Sequence, residues 1–212
     1  MALPEDFTDD QGSFMEPLAV AVHACARGGD LNGRNVVVSG AGAIGNLIAQ
    51  VATARGARVL ITDIADSRLA VARACGVAHV ANVKGVSLAA AAAAAFGDAG
   101  FDLALEAAGA EASLAGLVHA IEKGGAILIV GVYGKPPTVD MAVVGEHEIE
   151  LRGSMMYWRS DWIEAARLLA SSAIATKPLV SRRFSFEQRA EAYRYIDAAG
   201  AECMKVMVDV SK

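Results

Sequence analysis

The chain of 212 residues is 54% hydrophobic and 20% charged, with only 6% aromatics. It can therefore bury a large core of small and branched aliphatics, which excludes global disorder. Nineteen Lys and Arg against 24 Asp and Glu leave a net charge of −5 with no basic run, so nucleic acid is excluded as an expected partner.

The acidic start, MALPEDFTDDQG, lacks the apolar core of a signal peptide. No apolar stretch approaches the ~20 residues needed to cross a bilayer. The expectation is a cytoplasmic chain with no membrane partner. Glu16-Pro17 opens an apolar helix that reaches Arg27 and stops at Gly28-Gly29, proline in the first turn and glycine past the end being helix punctuation. Residues 35–39 form a β-branched strand that ends at Gly40. Residues 46–55 read as a helix closed by Gly56, and 58–62 as a second strand ending at Asp63. Asp66 or Ser67 caps the next helix, which stops before Gly76.

The alternation continues with strands at 77–80, 101–105, 126–132 and 149–153, and helices at 86–96 and 110–121. Residues 126–132 are nearly continuous in apolar types, as a strand covered on both faces requires. The expected fold is a Rossmann-type, doubly wound α/β domain over residues 35–154, a parallel six-stranded sheet with helices on both faces. Residues 1–34 are a lead-in segment and helix, and 155–212 a C-terminal tail of helices and strands. In that tail 161–171 is a helix and 179–184 a strand. Ser185 with Gln188 boxes a helix ending at Gly200, and 204–210 is a final strand. The last two strands need a partner that the alternating core does not supply.

Cys25, Cys75 and Cys203 lie far apart, as buried free thiols do, and His23, His79, His119 and His147 form no ligand-spaced pair. A zinc site within this chain is not expected.

Gly40-Ala41-Gly42-Ala43-Ile44-Gly45 is a G-x-G-x-x-G run with a strand before it, a helix after it and an acidic residue at the end of the next strand. The first glycine permits the tight turn, the second lets a pyrophosphate approach the backbone, and the third lets helix and strand pack closely. The helix N-terminus supplies free N–H groups to the phosphates. Asp63 is placed to accept both hydroxyls of an adenosine ribose and to repel a 2′-phosphate, which favours NAD over NADP. Arg68 is placed to lie over the adenine, or to be a solvated helix arginine. The same glycines also serve an ordinary strand–helix turn, and S-adenosylmethionine-dependent methyltransferases share the architecture. Those enzymes carry a signature after their fourth strand that Leu105-Glu106-Ala107-Ala108-Gly109 does not supply.

Together with Glu16-Pro17-Leu18, His23-Ala24-Cys25, Phe101-Asp102, Gly124-Gly125, Gly153-Ser154 and Lys177-Pro178-Leu179-Val180, these residues resemble the medium-chain dehydrogenase/reductase family. The similar branch is that of sorbitol and L-idonate 5-dehydrogenases, and the resemblance runs from about Ser13 to Val210. It implies NAD across the carboxyl ends of the strands, with Gly40, Gly42, Ala43, Ile44, Gly45, Asp63 and Arg68 at the cofactor. Ala107, Ala108, Val130 and Val132 would line its path, and Lys205 would stand near the pyrophosphate. Glu16 matches a glutamate near the family's catalytic zinc. Met156-Tyr157 stands where the polyol branch has Arg-Tyr. The family's zinc ligands belong to an upstream GroES-like lobe that this sequence lacks. The resemblance thus implies the NAD(H)-binding portion of a dehydrogenase for a small polyol or sugar acid, inactive alone, and a homodimer through sheet edges within residues 139–154. A stand-alone NAD(H)-binding or sensing module and a zinc-independent reductase are the alternatives.

Overall fold

The structure is a computed structural model and describes residues 7–210, so the first six residues of the expected lead-in lie outside it. Strands β1 (Asn35–Ser39), β2 (Arg58–Asp63), β3 (His79–Asn82), β4 (Leu103–Glu106), β5 (Ala126–Ile129) and β6 (Glu150–Gly153) form one parallel sheet, in the order β3-β2-β1-β4-β5-β6. The doubly wound α/β fold is as expected.

Side chains alternate strictly across this sheet. Val36, Val38, Val59, Ile61, Leu103, Leu105 and Leu128 enter one core with α1 (Asp9–Arg27), α2 (Ala43–Ala54), α3 (Asp66–Ala74) and α7 (Arg159–Ala170). Val37, Leu60, Ala104 and Ile127 enter the other with α4 (Leu88–Phe96), α5 (Glu111–Ala120) and α6 (Met141–Glu146). Burial on both faces is why the strands read as unbroken apolar runs.

Several boundaries differ from the sequence reading. Helix α1 starts at Asp9 rather than Glu16, because Thr8 and Gln11 form a capping box: Thr8 Oγ1 accepts from the Gln11 N–H at 3.2 Å and Gln11 Oε1 from the Thr8 N–H at 2.9 Å. Pro17 therefore lies inside the helix. Its missing donor is tolerated where Phe14, Met15 and Leu18 are fully buried around it. Helix α2 starts at Ala43, with Gly42 as its cap, because the glycine turn leads straight into it. Helix α3 is capped by Ala65 without a side-chain bond. Asp66 falls inside the helix and accepts from Asn82 Nδ2 instead. Strand β5 ends at Ile129, and Val132, expected in a buried strand, is 81% exposed. The short helix α6 was not anticipated; Asp140 caps it by accepting from the N–H groups of Ala142 and Val143. Cys25 is buried as expected, but Cys75 and Cys203 are only half-buried.

In the tail, β7 (Val180–Ser185) and β8 (Lys205–Asp209) pair in parallel with each other, joined through α8 (Arg189–Ala199). Leu179, Phe184 and Met207 are buried, while Arg182 and Arg183 are exposed. The box expected of Ser185 and Gln188 forms by half: Gln188 Oε1 accepts from the Ser185 N–H, and α8 begins after Gln188.

Candidate functional site

Strands β1 and β4 are neighbours whose following helices cover opposite faces of the sheet, and this divergence opens a crevice at their carboxyl ends. The three glycines at its floor have three different roles. Gly40 has φ +105, and a Cβ on it would stand 2.7 Å from the Ala108 nitrogen. Gly42 faces open space, with no atom within 4 Å of where its Cβ would be. Gly45 packs so that its Cβ would meet the Gly40 carbonyl oxygen. Ala43, Ile44 and Gly45 form the first turn of α2, and the first helical bond runs from the Asn46 N–H to the Gly42 oxygen. Their own N–H groups therefore have no acceptor within the helix.

Asn46, which the sequence reading passed over, pins this turn. Fully buried, it donates through Nδ2 to the Ala41 carbonyl at 2.6 Å and to that of Gly42 at 3.1 Å. An amide among the apolar residues that open the helix was the available signal.

Asp63 ends β2 almost wholly buried. Its Oδ2 accepts from the Ala41 N–H at 2.7 Å, and its Oδ1 from the N–H groups of Ile64 and Ala65 at 2.8 and 3.0 Å. The carboxylate thus ties the glycine turn to the end of the second strand. The Arg68 guanidinium comes within 3.8 Å of Oδ2 and donates its Nε–H to the Ala201 carbonyl. Gly40, Gly42, Asp63, Arg68, Ala107 and Ala108 line one cavity of about 430 Å³.

Val130 and Val132 line a different cavity, of about 620 Å³, with His23, Ser154 and Trp158. His23 and Asp161 form a buried pair beside it, with Nδ1 to Oδ2 at 2.9 Å, and Asp161 also accepts from the Trp158 N–H at 2.7 Å. Lys205 joins neither cavity. Its ammonium lies over the Phe14 ring, 5.3 Å from the centroid. Glu16 is exposed on α1.

Between the two cavities stands Glu106, also missed in the sequence as a site residue, although a lone charge closing an apolar strand marks it. It is fully buried. Its Oε1 accepts from the N–H groups of Ala108 and Gly109 at 3.0 Å each and from Ser113 Oγ at 2.7 Å. Ser113 Oγ in turn lies 2.7 Å from Ser39 Oγ. Burial first, and then the neighbouring Glu106 carboxylate, push the Tyr133 phenol above its ordinary value.

A family model described as zinc-binding dehydrogenase matches residues 43–171. The chain belongs to that family. Human sorbitol dehydrogenase is 36% identical over 194 residues, a match covering 90% of this chain and 54% of that protein. The crystal structure of L-idonate 5-dehydrogenase from Escherichia coli superposes with a TM-score of 0.89 at 28% identity, covering 99% of this chain and 60% of that one. A zinc-binding dehydrogenase from Sinorhizobium meliloti, solved bound to NADP, gives 0.87 at 26% identity, with 99% and 62% covered. The chain thus spans about half the length of the curated relatives it matches. Among its described residues no group of three or more His, Cys, Asp or Glu converges to hold a metal ion. The open space at Gly42 and the first-turn N–H groups of α2 that have no acceptor in the helix suit an anionic group such as a phosphate.

Proposed function

We propose that this chain binds NAD(H) as the nucleotide-binding portion of a zinc-type polyol or sugar-acid dehydrogenase, one that oxidises a secondary alcohol. The observation that carries the reading is the glycine cradle with Asp63 at its rim. Gly42 leaves the space a pyrophosphate needs, and the first-turn N–H groups of Ala43, Ile44 and Gly45 are free to donate to it. Asp63 Oδ2 accepts a single hydrogen bond, which leaves acceptor capacity for a ribose hydroxyl. A 2′-phosphate there would face a buried carboxylate, and Arg68 is already held to Ala201. When bound, NAD supplies the hydride acceptor; Val130 and Val132 would flank its nicotinamide half and Ala107 and Ala108 its adenosine half. With no group of three or more His, Cys, Asp or Glu converging among its described residues, the chain alone is expected to bind cofactor without turnover.

In this reading residues 1–34 lead in, 35–154 bind the dinucleotide, and 155–212 pack on a further lobe. The exposed Phe186, Tyr193 and Ile196 on and beside α8 support that packing. A homodimer through β6 belongs to the same proposal. An antiparallel pairing centred on Leu151 would set each Glu150 opposite the partner's Arg152. The second reading, a self-sufficient NAD(H)-binding module, is favoured by one observation: Leu179 and Met207 of the tail are buried in the main core, although the pairing of β7 with β8 alone is what the first reading expects.

Calorimetry with NAD and NADP on the wild type and on Asp63→Ala tests the cofactor. NAD is expected to bind at least about tenfold tighter than NADP, with the preference lost in the variant. No binding of NAD at millimolar concentration would remove the cofactor reading, and preference for NADP would remove the role of Asp63.

A further inference from the structure

The turn after β4 carries a buried negative charge that none of the roles above uses. Glu106 is 0% exposed, and no salt bridge among the described residues reaches it. A carboxylate is costly to bury unless its oxygens are satisfied. Here the satisfying groups are the consecutive N–H groups of Ala108 and Gly109 and the Ser113 hydroxyl. Successive backbone N–H groups of this kind form an anion-binding concavity, and the chain's own acid fills it.

The held turn has no slack on any side. Its Ala108 nitrogen would lie 2.7 Å from a Cβ on Gly40, so the turn rests directly on the glycine loop. A Cβ on Gly109 would stand 2.4 Å from the Val132 oxygen, and one on Gly131 2.6 Å from Glu106 Oε2. The main-chain oxygen of Glu106 also accepts from the N–H groups of Val130 and Gly131, at 2.9 and 2.8 Å. One residue thus fixes, by side chain, the wall containing Ala107 and Ala108 and, by main chain, the start of the wall containing Val130.

We infer that Glu106 is a positioning residue for the nucleotide: its carboxylate holds the Ala107–Gly109 turn as one wall of the cavity that the glycine loop and Asp63 also line. It acts through backbone groups and does not touch the ligand. By filling the second anion concavity it also leaves the N-terminus of α2 as the place for the phosphates. The inference rests on the NAD(H) reading above.

The test compares AMP and NAD affinities by calorimetry at low temperature for wild type, Glu106→Gln, Glu106→Leu and Ser113→Ala, with folding verified by near-ultraviolet circular dichroism. Leu168→Ala is the control, since it removes core packing in α7 away from both cavities. Glu106→Leu is expected to weaken both ligands by about 30-fold, and Glu106→Gln and Ser113→Ala by about three- to tenfold, graded by the hydrogen bonds each retains. Leu168→Ala should lower the melting temperature and leave both affinities within about twofold. If Glu106→Leu does not fold, the Gln and Ala variants decide. Folded Glu106 and Ser113 variants that bind both ligands like wild type overturn the inference, as does a control that weakens binding as much as they do. Failure of wild type to bind either ligand removes the NAD(H) reading itself.

Discussion

A methyl group on Gly45 would stand 1.8 Å from the carbonyl oxygen of Gly40, whereas one on Gly42 would touch nothing. Two glycines of one motif therefore answer to different constraints. Gly45→Ala must push α2 away from the β1 turn and should cost at least about 2 kcal/mol, read as a lower urea midpoint with unchanged slope. Gly42→Ala has φ −67 and open space, so it should cost less than about 1 kcal/mol, mostly as a weaker helix cap. Its added methyl group fills the space left for the phosphates, and NAD affinity should fall about tenfold or more. Equal stability losses in the two variants would contradict this division.

The sequence alone was enough for the sheet and the glycine loop, because unbroken β-branched apolar runs and glycine punctuation are local signals. Val36 to Val38 alternate between two cores just as their β-branched run suggests. Residues whose roles depend on distant partners were not legible. Asp161 reads as an ordinary first-turn acid until His23 is found beside it, and the Phe14 ring beneath Lys205 is equally invisible in the sequence. The start of α1 was missed because Pro17 outweighed the weaker capping signal of Thr8 and Gln11.

His23 and Asp161 join α1 to α7 across 138 positions of sequence. Removing either partner strands a buried polar group, so His23→Ala and Asp161→Ala should each cost about 3 kcal/mol. Asp161→Ala should lose about 1 kcal/mol more, because the same carboxylate caps α7 through the Trp158 N–H. The double variant should cost less than the sum, with a coupling of about 1–3 kcal/mol in denaturant titrations. Additive losses would mean that the two side chains act independently.

The tail unit should open before the main sheet. Strands β7 and β8 pair only with each other among the described strands, and α8 buries only Ala192. Amides of β7, α8 and β8 should exchange hydrogen about 100-fold faster than those of β1 and β4, which are paired on both sides. Uniform protection across both sheets would mark the tail as part of a single cooperative unit.

At the other edge, Arg152→Glu sets like charges opposite one another in the proposed β6 pairing. Sedimentation should then show the dimer dissociating at about tenfold higher concentration than wild type. A wild-type monomer at micromolar concentration would discard the β6 dimer and leave the cofactor proposal untouched.

Burial pushes the thiol of Cys25 up to about 12, with Arg55 opposing weakly, and that of Cys75 up to about 11, from 9.0 for each when exposed. Between these limits the unfolded chain releases both protons while the folded chain keeps them, so stability falls as pH rises. The contribution of the two thiols is complete below about pH 9. It then declines, with Cys75 ceasing to contribute to the slope near pH 11 and Cys25 near pH 12. Urea midpoints measured from pH 8 to 11 should fall more steeply for wild type than for Cys25→Ala/Cys75→Ala, and subtracting the two profiles removes the titration of lysines and tyrosines. The same cause makes both thiols slow nucleophiles: iodoacetamide at pH 8 should leave Cys25 unmodified in the folded protein and label Cys75 slowly. Rapid labelling of Cys25 under those conditions would show that α1 separates from α2, since Cys25 Sγ lies 3.7 Å from the Ile48 carbonyl at the heart of that contact.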